Sequence, residues 1–240
     1  MSSDAAGSLY LLPNTLGDTA AEAVIPAAVL HRARSLDYFI AENPKSARAF
    51  LKRVGSTRAL QEIRMERLDH NTKPSDIPGM LEPILRGGDA GLLSEAGLPA
   101  VADPGASLVR IAHEKGVRVV PLSGPSSILL ALAASGLESQ RFAFHGYLPV
   151  KQPELAAALK ELERQSRRLD QTQIFIETPY RNDSTLAAAL RVLSDDTLVC
   201  VAADLTLDSE IIKTKPAARW RGATPQLNGR PAVFLLLSVR

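Results

Sequence analysis

The chain has 240 residues, 45% hydrophobic and 22% charged, with a formal net charge of +2. That balance is the one expected of a globular protein with room for one large or two modest domains, and the charge alone does not establish a nucleic-acid partner. An aromatic content of 5% argues against an aromatic stacking platform for single strands, and a single cysteine excludes an intrachain disulfide framework.

In chain order, Ser8–Leu12 reads as a short strand that breaks at Pro13, followed by the turn Asn14-Thr15-Leu16-Gly17-Asp18 and a helix from near Pro26. Tyr38–Glu42 is a second strand, and Asn43-Pro44 starts a basic helix through Val54. Arg64–Leu68 is a third strand, and Ile77–Arg86 is predicted as a helix. Ala90–Leu93 and Arg118–Leu122 are apolar strands flanking an amphipathic helix with Leu108, Val109, Ile111 and Ala112 at helical spacing, a βαβ unit. A helix over 125–134 follows and ends at Gly136. Further on, Phe142–Leu148 alternates as a strand, Lys160–Arg168 is a charged amphipathic helix, Thr172–Glu177 a strand and Ser184–Leu193 a helix. Thr197–Ala203 and Glu210–Thr214 are strands expected side by side, 216–229 is a polar loop, and 232–239 closes the sheet. The pattern predicts two α/β lobes, 1–123 with a mainly parallel sheet and 124–240 with a mixed sheet, divided near Gly124.

Ligands of open parallel sheets bind beyond the carboxyl ends of the strands, which draws attention to two turns of small residues. Ser94-Glu95-Ala96-Gly97 follows one strand of the central unit, and Ser123-Gly124-Pro125-Ser126 follows the other. Neither a P-loop nor a G-x-G-x-x-G opening is present. The turns offer backbone amides, hydroxyls and one carboxylate, walls that suit a zwitterionic nucleoside better than a triphosphate. The simpler alternative is two βα turns, with Asp103 only capping the helix that Pro104 begins. The turn Glu177-Thr178-Pro179-Tyr180-Arg181 also has two readings. It either positions a substrate or cofactor, or it holds a Glu–Arg ion pair with Thr178 as a helix cap. His31, His70, His113 and His145 are scattered without ligand spacing, so no metal site is expected. Cys200 lies in an apolar run and reads as a buried thiol. Arg32, Arg34, Lys45, Arg48, Lys52, Arg53, Arg58, Arg64 and Arg67 outnumber the acids of their segment, a surface able to hold an RNA backbone or simply a solvated one. The first residues lack a basic, signal-length apolar segment and no run reaches transmembrane length, so a cytoplasmic protein with no membrane partner is expected.

The motifs Ser94-Glu95-Ala96-Gly97-Leu98-Pro99, Ala102-Asp103-Pro104-Gly105 and Pro121-Leu122-Ser123-Gly124-Pro125-Ser126-Ser127 resemble the tetrapyrrole-methylase superfamily of S-adenosylmethionine (SAM) methyltransferases. The usual pattern there is S-D-A-G-T-P, D-P-G and P-L-P-G-P. The nearest likeness is to the bacterial 16S ribosomal RNA cytidine 2′-O-ribose methyltransferase branch, whose members usually carry a further C-terminal tail. Flanking segments resemble the family more loosely. Asn14–Asp18 stands where it has P-T-P-I-G-N, Glu177–Arg181 where it has E-S/T-P-H-R, Asp204-Leu205-Thr206 where it has E-L-T, and Gly229-Arg230 where it has G-E. The acidic Thr-Arg pair that follows the family's second strand is absent, replaced by Glu42-Asn43-Pro44-Lys45.

The resemblance implies a SAM cofactor in a cleft between two lobes, a homodimer, and ribosomal RNA or the small ribosomal subunit as partner. It places Pro13, Leu93, Ser94, Glu95, Ala96, Gly97, Val101, Ala102, Ser126, Ser127, Ile176, Ala203, Leu205 and Pro231 at the cofactor. Asn71, Tyr180, Arg181, Lys45 and Arg48 are the candidates for substrate. Methyl transfer from a sulfonium needs alignment and exclusion of water, and a ribose hydroxyl benefits from a base, for which Glu95 and Glu177 are candidates by position. A methylase of a small, tetrapyrrole-like molecule and a non-catalytic SAM-binding sensor are the alternatives.

Overall fold

The structure, a computed structural model, describes residues 6–238. The chain divides into two compact units, Met1–Ser126 and Ser127–Arg240.

In the first unit the strands are β1 (Ser8–Leu12), β2 (Tyr38–Ala41), β3 (Arg64–Arg67), β4 (Ala90–Leu93) and β5 (Arg118–Pro121). They form one parallel sheet in the order β3-β2-β4-β1-β5. Every residue of β2 and β4 is buried, as expected of apolar runs covered on both faces. Beyond β1 lie α1 (Ala21–Val24) and α2 (Ala27–Ser35), and beyond β2 lies α3 (Pro44–Val54). The period of two in the strands divides the core. Leu12, Phe39, Ala41 and Leu93 pack with Leu30, Ala33, Phe50 and Leu51 of α2 and α3. Leu9, Ile40, Ala90 and Leu92 face the other way, onto Leu81, Ile84, Leu108 and Ala112.

The sequence explains α3 at both ends. The Asn43 side chain accepts the amides of Lys45 and Ser46, and Gly55 takes the left-handed conformation (φ 76°) while its N–H closes on Leu51 and Lys52. The stretch 77–86 departs from the single helix expected of it. It is a 3-10 segment, Ile77–Leu81, followed by one α-turn, α4 (Glu82–Leu85). Pro83 has no N–H to continue the ladder there. α5 (Gly105–Glu114) joins β4 to β5, and these two strands are not neighbours, because β1 lies between them.

The second unit runs α6 (Ser127–Ser135), β6 (Phe142–Tyr147), α7 (Gln152–Leu169), β7 (Thr172–Ile176), a 3-10 turn (Pro179–Arg181), α8 (Asn182–Val192), β8 (Leu198–Ala203), β9 (Ile211–Pro216), α9 (Ala217–Trp220) and β10 (Ala232–Leu237). Its sheet, ordered β6-β7-β10-β8-β9, is mixed. β6 and β7 are parallel, β10 is antiparallel to both its neighbours, and β8 pairs antiparallel with β9 as expected. Three expectations need correction. α6 begins at Ser127, two residues after the expected start. α7 begins at Gln152 and not at Lys160, because the apolar stripe Leu155, Leu159, Leu162 continues upstream through the good helix formers Ala156–Ala158. The polar loop 216–229 contains α9, whose Trp220 is 1% exposed and donates its Nε1–H to the Val199 carbonyl (2.8 Å). The last expected strand residue, Val239, lies outside the described residues. Cys200 sits fully buried in β8, where burial pushes its thiol pKa up.

Candidate functional site

Because the first sheet is wholly parallel, the turns that leave β1, β2, β3, β4 and β5 all emerge at one edge. The helices that follow β1 and β2 pack on one face, whereas α5, which follows β4, packs on the other. β4 is flanked on both sides by strands whose chains turn away from its own, the arrangement that opens a crevice beyond an open α/β sheet.

The turns are bonded to one another there. Asn14 donates its backbone N–H to the Gly97 carbonyl (2.9 Å) and accepts the Gly97 N–H (3.2 Å). Its side-chain amide donates to the carbonyls of Ser94 (3.3 Å) and Glu95 (2.9 Å). Ser94 Oγ donates to the Ala96 carbonyl (3.0 Å), and Gly97 holds a positive φ of 67° that a side chain would strain. A Cβ on Gly124 would overlap the Pro13 ring, so the turn after β5 lies against the turn after β1. Leu93 ends β4 beneath this knot, and Ser126 is buried at the close of the unit. Val101 is 47% exposed, and its neighbours Ala100 and Ala102 both have positive φ. That loop is held by Asp103, whose Oδ1 accepts the amides of Ala100 (2.9 Å) and Gly105 (2.7 Å). Asp103 is not the N-cap expected of it, since Pro104 holds that position and α5 begins at Gly105. Its carboxylate instead ties the loop at Ala100 to the first helical amide.

Carboxylates line the same edge. Glu42, directly after β2, is pushed above the ordinary glutamate range by burial and by the facing carboxylates of Glu95, Asp103 and Asp69, with the Glu95 N–H working the other way. Burial likewise pushes Asp103 up, against the two amides it accepts. The exposed Glu95 holds the Asn43 amide (2.9 Å) and the Ser46 hydroxyl (3.4 Å), both on its Oε1. Lys45 and Arg48 are exposed on α3, and Asn71 is exposed in a turn whose amide bonds to Asp69 (2.9 Å). Sequence reasoning passed over Asn14 and Glu42. The available signals were an amide directly after a Pro-broken strand and a lone acid at the end of an apolar one.

In the second unit, β10 runs opposite to its neighbours, so its start lies between the ends of β7 and β8. The register pairs Val233 with Ile176 and Ala232 with Ala203, and the Asp204 N–H donates to the Pro231 carbonyl (2.9 Å). Ile176, Ala203 and Pro231 are thereby gathered at one sheet edge, with Leu205 buried beside Asp204. Asp204 and Thr206 hold positive φ (51° and 72°), a conformation costly for a β-branched threonine. The two positions that depart from the family pattern bond to each other, Arg230 Nε donating to Asp204 Oδ2 (2.8 Å), which also accepts the Ser209 hydroxyl (2.8 Å). Two buried polar atoms nearby have no partner, Thr206 Oγ1 and Asn182 Oδ1, although the Asn182 amide donates to the Arg230 carbonyl (2.6 Å).

Glu177 takes the ion-pair form of its two readings. Its Oε2 faces Arg181 Nη2 (3.1 Å) and accepts the Thr185 hydroxyl (3.2 Å), while Oε1 accepts the Thr178 N–H (2.7 Å). Both oxygens are engaged, and the buried carboxylate has no position open for a substrate proton. Thr178 makes no cap bond with its side chain. Tyr180 is 73% exposed, and Ser127 opens α6.

These residues fit SAM. In the first unit, carboxylates complement a sulfonium and an ammonium, and hydroxyls and turn amides suit ribose and carboxylate. Among the described residues no group of three His, Cys, Asp or Glu is arranged to hold a metal ion, and no described helix is long and apolar enough to cross a membrane.

Comparison with known proteins agrees. The family model for tetrapyrrole (corrin/porphyrin) methylases matches residues 20–219. Ribosomal RNA small subunit methyltransferase I of Escherichia coli is 34% identical over 210 residues, covering 88% of this chain and 69% of its own. The proteins of that name from Vibrio cholerae (39% over 150 residues, 62% of this chain and 50% of its own) and Mesorhizobium japonicum (33% over 207 residues, 86% and 66%) are similar too. The chain thus spans between half and about seven-tenths of these relatives' length. Among solved structures, the methyltransferase CobJ aligns with a TM-score of 0.64 at 17% identity, over 97% of this chain and 95% of its own. The cobalt precorrin-4 methyltransferase CbiF aligns with a TM-score of 0.56 at 16% identity, over 96% and 94%, and both likenesses concern the fold. On the family match and these relatives, the chain belongs to the tetrapyrrole (corrin/porphyrin) methylase family and is a SAM-dependent methyltransferase.

Proposed function

We propose that this enzyme methylates ribosomal RNA of the small subunit at a ribose 2′-hydroxyl with SAM as the methyl donor, working in the cytoplasm as a homodimer. The observation that carries the reading is the 34% identity with ribosomal RNA small subunit methyltransferase I over 88% of this chain.

Bound SAM supplies a methyl group on a positively charged sulfur that is its own leaving group. The protein's part is to bind, align and exclude water. The latch made by Asn14 fixes the Ser94–Gly97 turn, and the nearby carboxylates favour the cationic donor over its neutral product. For transfer of that methyl group to the acceptor oxygen, the hydroxyl proton would have to be taken up by a base on the protein. Of the two candidate bases, Glu95 is the one to receive it, since its Oε2 has no hydrogen-bond partner while both Glu177 oxygens are engaged.

The test incubates the purified protein and labelled SAM with small subunits from a strain lacking this methylation. Label at a mapped 2′-O-methyl nucleotide is the expected result, with Glu95→Gln lowering kcat more than it changes KM. Label that enters only a small-molecule acceptor, or SAM that binds without S-adenosylhomocysteine forming, overturns it. Sedimentation of the purified protein tests the dimer.

A further inference from the structure

The nine basic residues counted between 32 and 67 are not equivalent in the fold. Arg32, Arg34, Arg53, Arg58, Arg64 and Arg67 each face a carboxylate, of Asp89, Glu22, Asp18, Asp37, Glu66 and Asp69 respectively. Lys45, Arg48 and Lys52 are exposed and form no ion pair with any described residue. All three lie on α3 at spacings of three and four residues, so they form a single row about 10 Å long.

The adjacent row of the same helix, about 100° around its axis, consists of Ser46, Ala49, Phe50 and Arg53. With residues 14–18 and the Glu95-Ala96 turn, this row walls a hollow of about 440 Å3, within the range of about 300–1,000 Å3 that holds small ligands. Its walls combine apolar groups (Leu16, Ala49, Phe50, Ala96) with a carboxylate, Glu95, and a guanidinium, Arg53. Arg53 Nη2 donates to Thr15 Oγ1 (3.1 Å), and its other nitrogen lies 3.6 Å from a fully exposed Asp18, a contact that water screens and an incoming anion can replace at little cost.

Unpaired cations therefore run alongside a hollow whose far wall is the turn assigned to the methyl donor. We propose that the row Lys45, Arg48, Lys52 carries the phosphates of a single-stranded RNA segment, and that the hollow takes the nucleotide to be methylated, unstacked from its neighbours. Arg53 meets its phosphate, and Glu95 stands at the ribose that reacts. A nucleotide already single-stranded loses least on leaving its stack, and four phosphate contacts, three from the row and one from Arg53, make binding salt-dependent. This inference rests on the ribosomal RNA reading above and adds where on the chain the RNA lies.

Three variants at exposed positions test it, Ala49→Trp to fill the hollow and Arg48→Gln and Lys52→Gln to thin the row. Methyl transfer to unmethylated small subunits, affinity for a single-stranded RNA of the target sequence at several salt concentrations, and calorimetric titration with SAM are measured for each. Ala49→Trp is expected to lower transfer at least tenfold with SAM affinity unchanged. Each Gln variant is expected to flatten the plot of log affinity against log salt by about 0.7. Transfer at the wild-type rate by Ala49→Trp, loss of its SAM binding, or unchanged salt slopes in the Gln variants overturn the inference while leaving the substrate reading intact. A wild-type protein that cannot label subunits overturns both.

Discussion

Both units carry candidate residues on a sheet edge, and the two edges are made differently. In the first, every strand points the same way, so the turns emerge at one edge. Those after β1 and β2 both bond to the turn after β4, Asn14 reaching the Glu95 carbonyl across more than eighty residues of sequence and Asn43 the Glu95 carboxylate. In the second, β10 enters in reverse between β7 and β8, and the chain leaving β8 must turn back at once to pair as β9. Each edge holds two non-glycine residues in the left-handed region, Ala100 and Ala102 in the first and Asp204 and Thr206 in the second, but the two buried polar atoms that lack partners among the described residues are both in the second. The parallel sheet builds a turn cluster whose polar groups bond to one another, whereas the edge of the mixed sheet leaves Thr206 Oγ1 and Asn182 Oδ1 without partners.

The largest effect expected from breaking this contrast is at Trp220, which anchors the second unit alone. Trp220→Ala removes the buried ring and strands the Val199 carbonyl, costing about 3–5 kcal/mol in denaturant titrations followed by circular dichroism. Next comes Gly124→Ala. Its methyl has no room beside the Pro13 ring, so about 1–3 kcal/mol of stability should be lost together with SAM affinity, read by calorimetry. Thr206→Gly should act in opposite directions on the two measurements. Relief of its φ of 72° gains about 1 kcal/mol, while loss of the unpartnered hydroxyl weakens SAM binding. If that variant binds SAM as tightly as the wild type, the second edge is strained for some reason other than the donor.

The smallest effect concerns pH. Glu42 has its folded pKa raised above the unfolded value, so its contribution to stability is fully present below the unfolded value and is lost as pH rises through the folded one. Glu42→Gln should therefore melt above the wild type at neutral pH, with the gap closing as pH falls below the ordinary glutamate range. Melting temperatures across a pH series check this.

Local signals were readable wherever a short stretch decides its own structure. α3 lies where Asn43-Pro44 and Gly55 punctuate it, and β1, β2 and β4 coincide with unbroken apolar runs. That the turns after β1, β4 and β5 share an edge followed from parallel strands alone. Distant partners defeated the reading elsewhere. α9 is buried because Trp220 finds a carbonyl twenty-one residues away, and nothing periodic in 216–229 announces that. The pairing of Arg230 with Asp204 joins two positions that each look like a loss when read singly. The Asn14 latch and the one-row arrangement of Lys45, Arg48 and Lys52 likewise appear only once other acids have claimed the remaining arginines.

The solitary thiol of Cys200 gives the molecule its own gauge of breathing. Buried mid-strand in β8, it is unreactive until the second sheet opens, and no other cysteine in the chain competes for an alkylating reagent. Its labelling half-time with and without SAM would report how far the donor steadies that sheet, independently of any methyl acceptor.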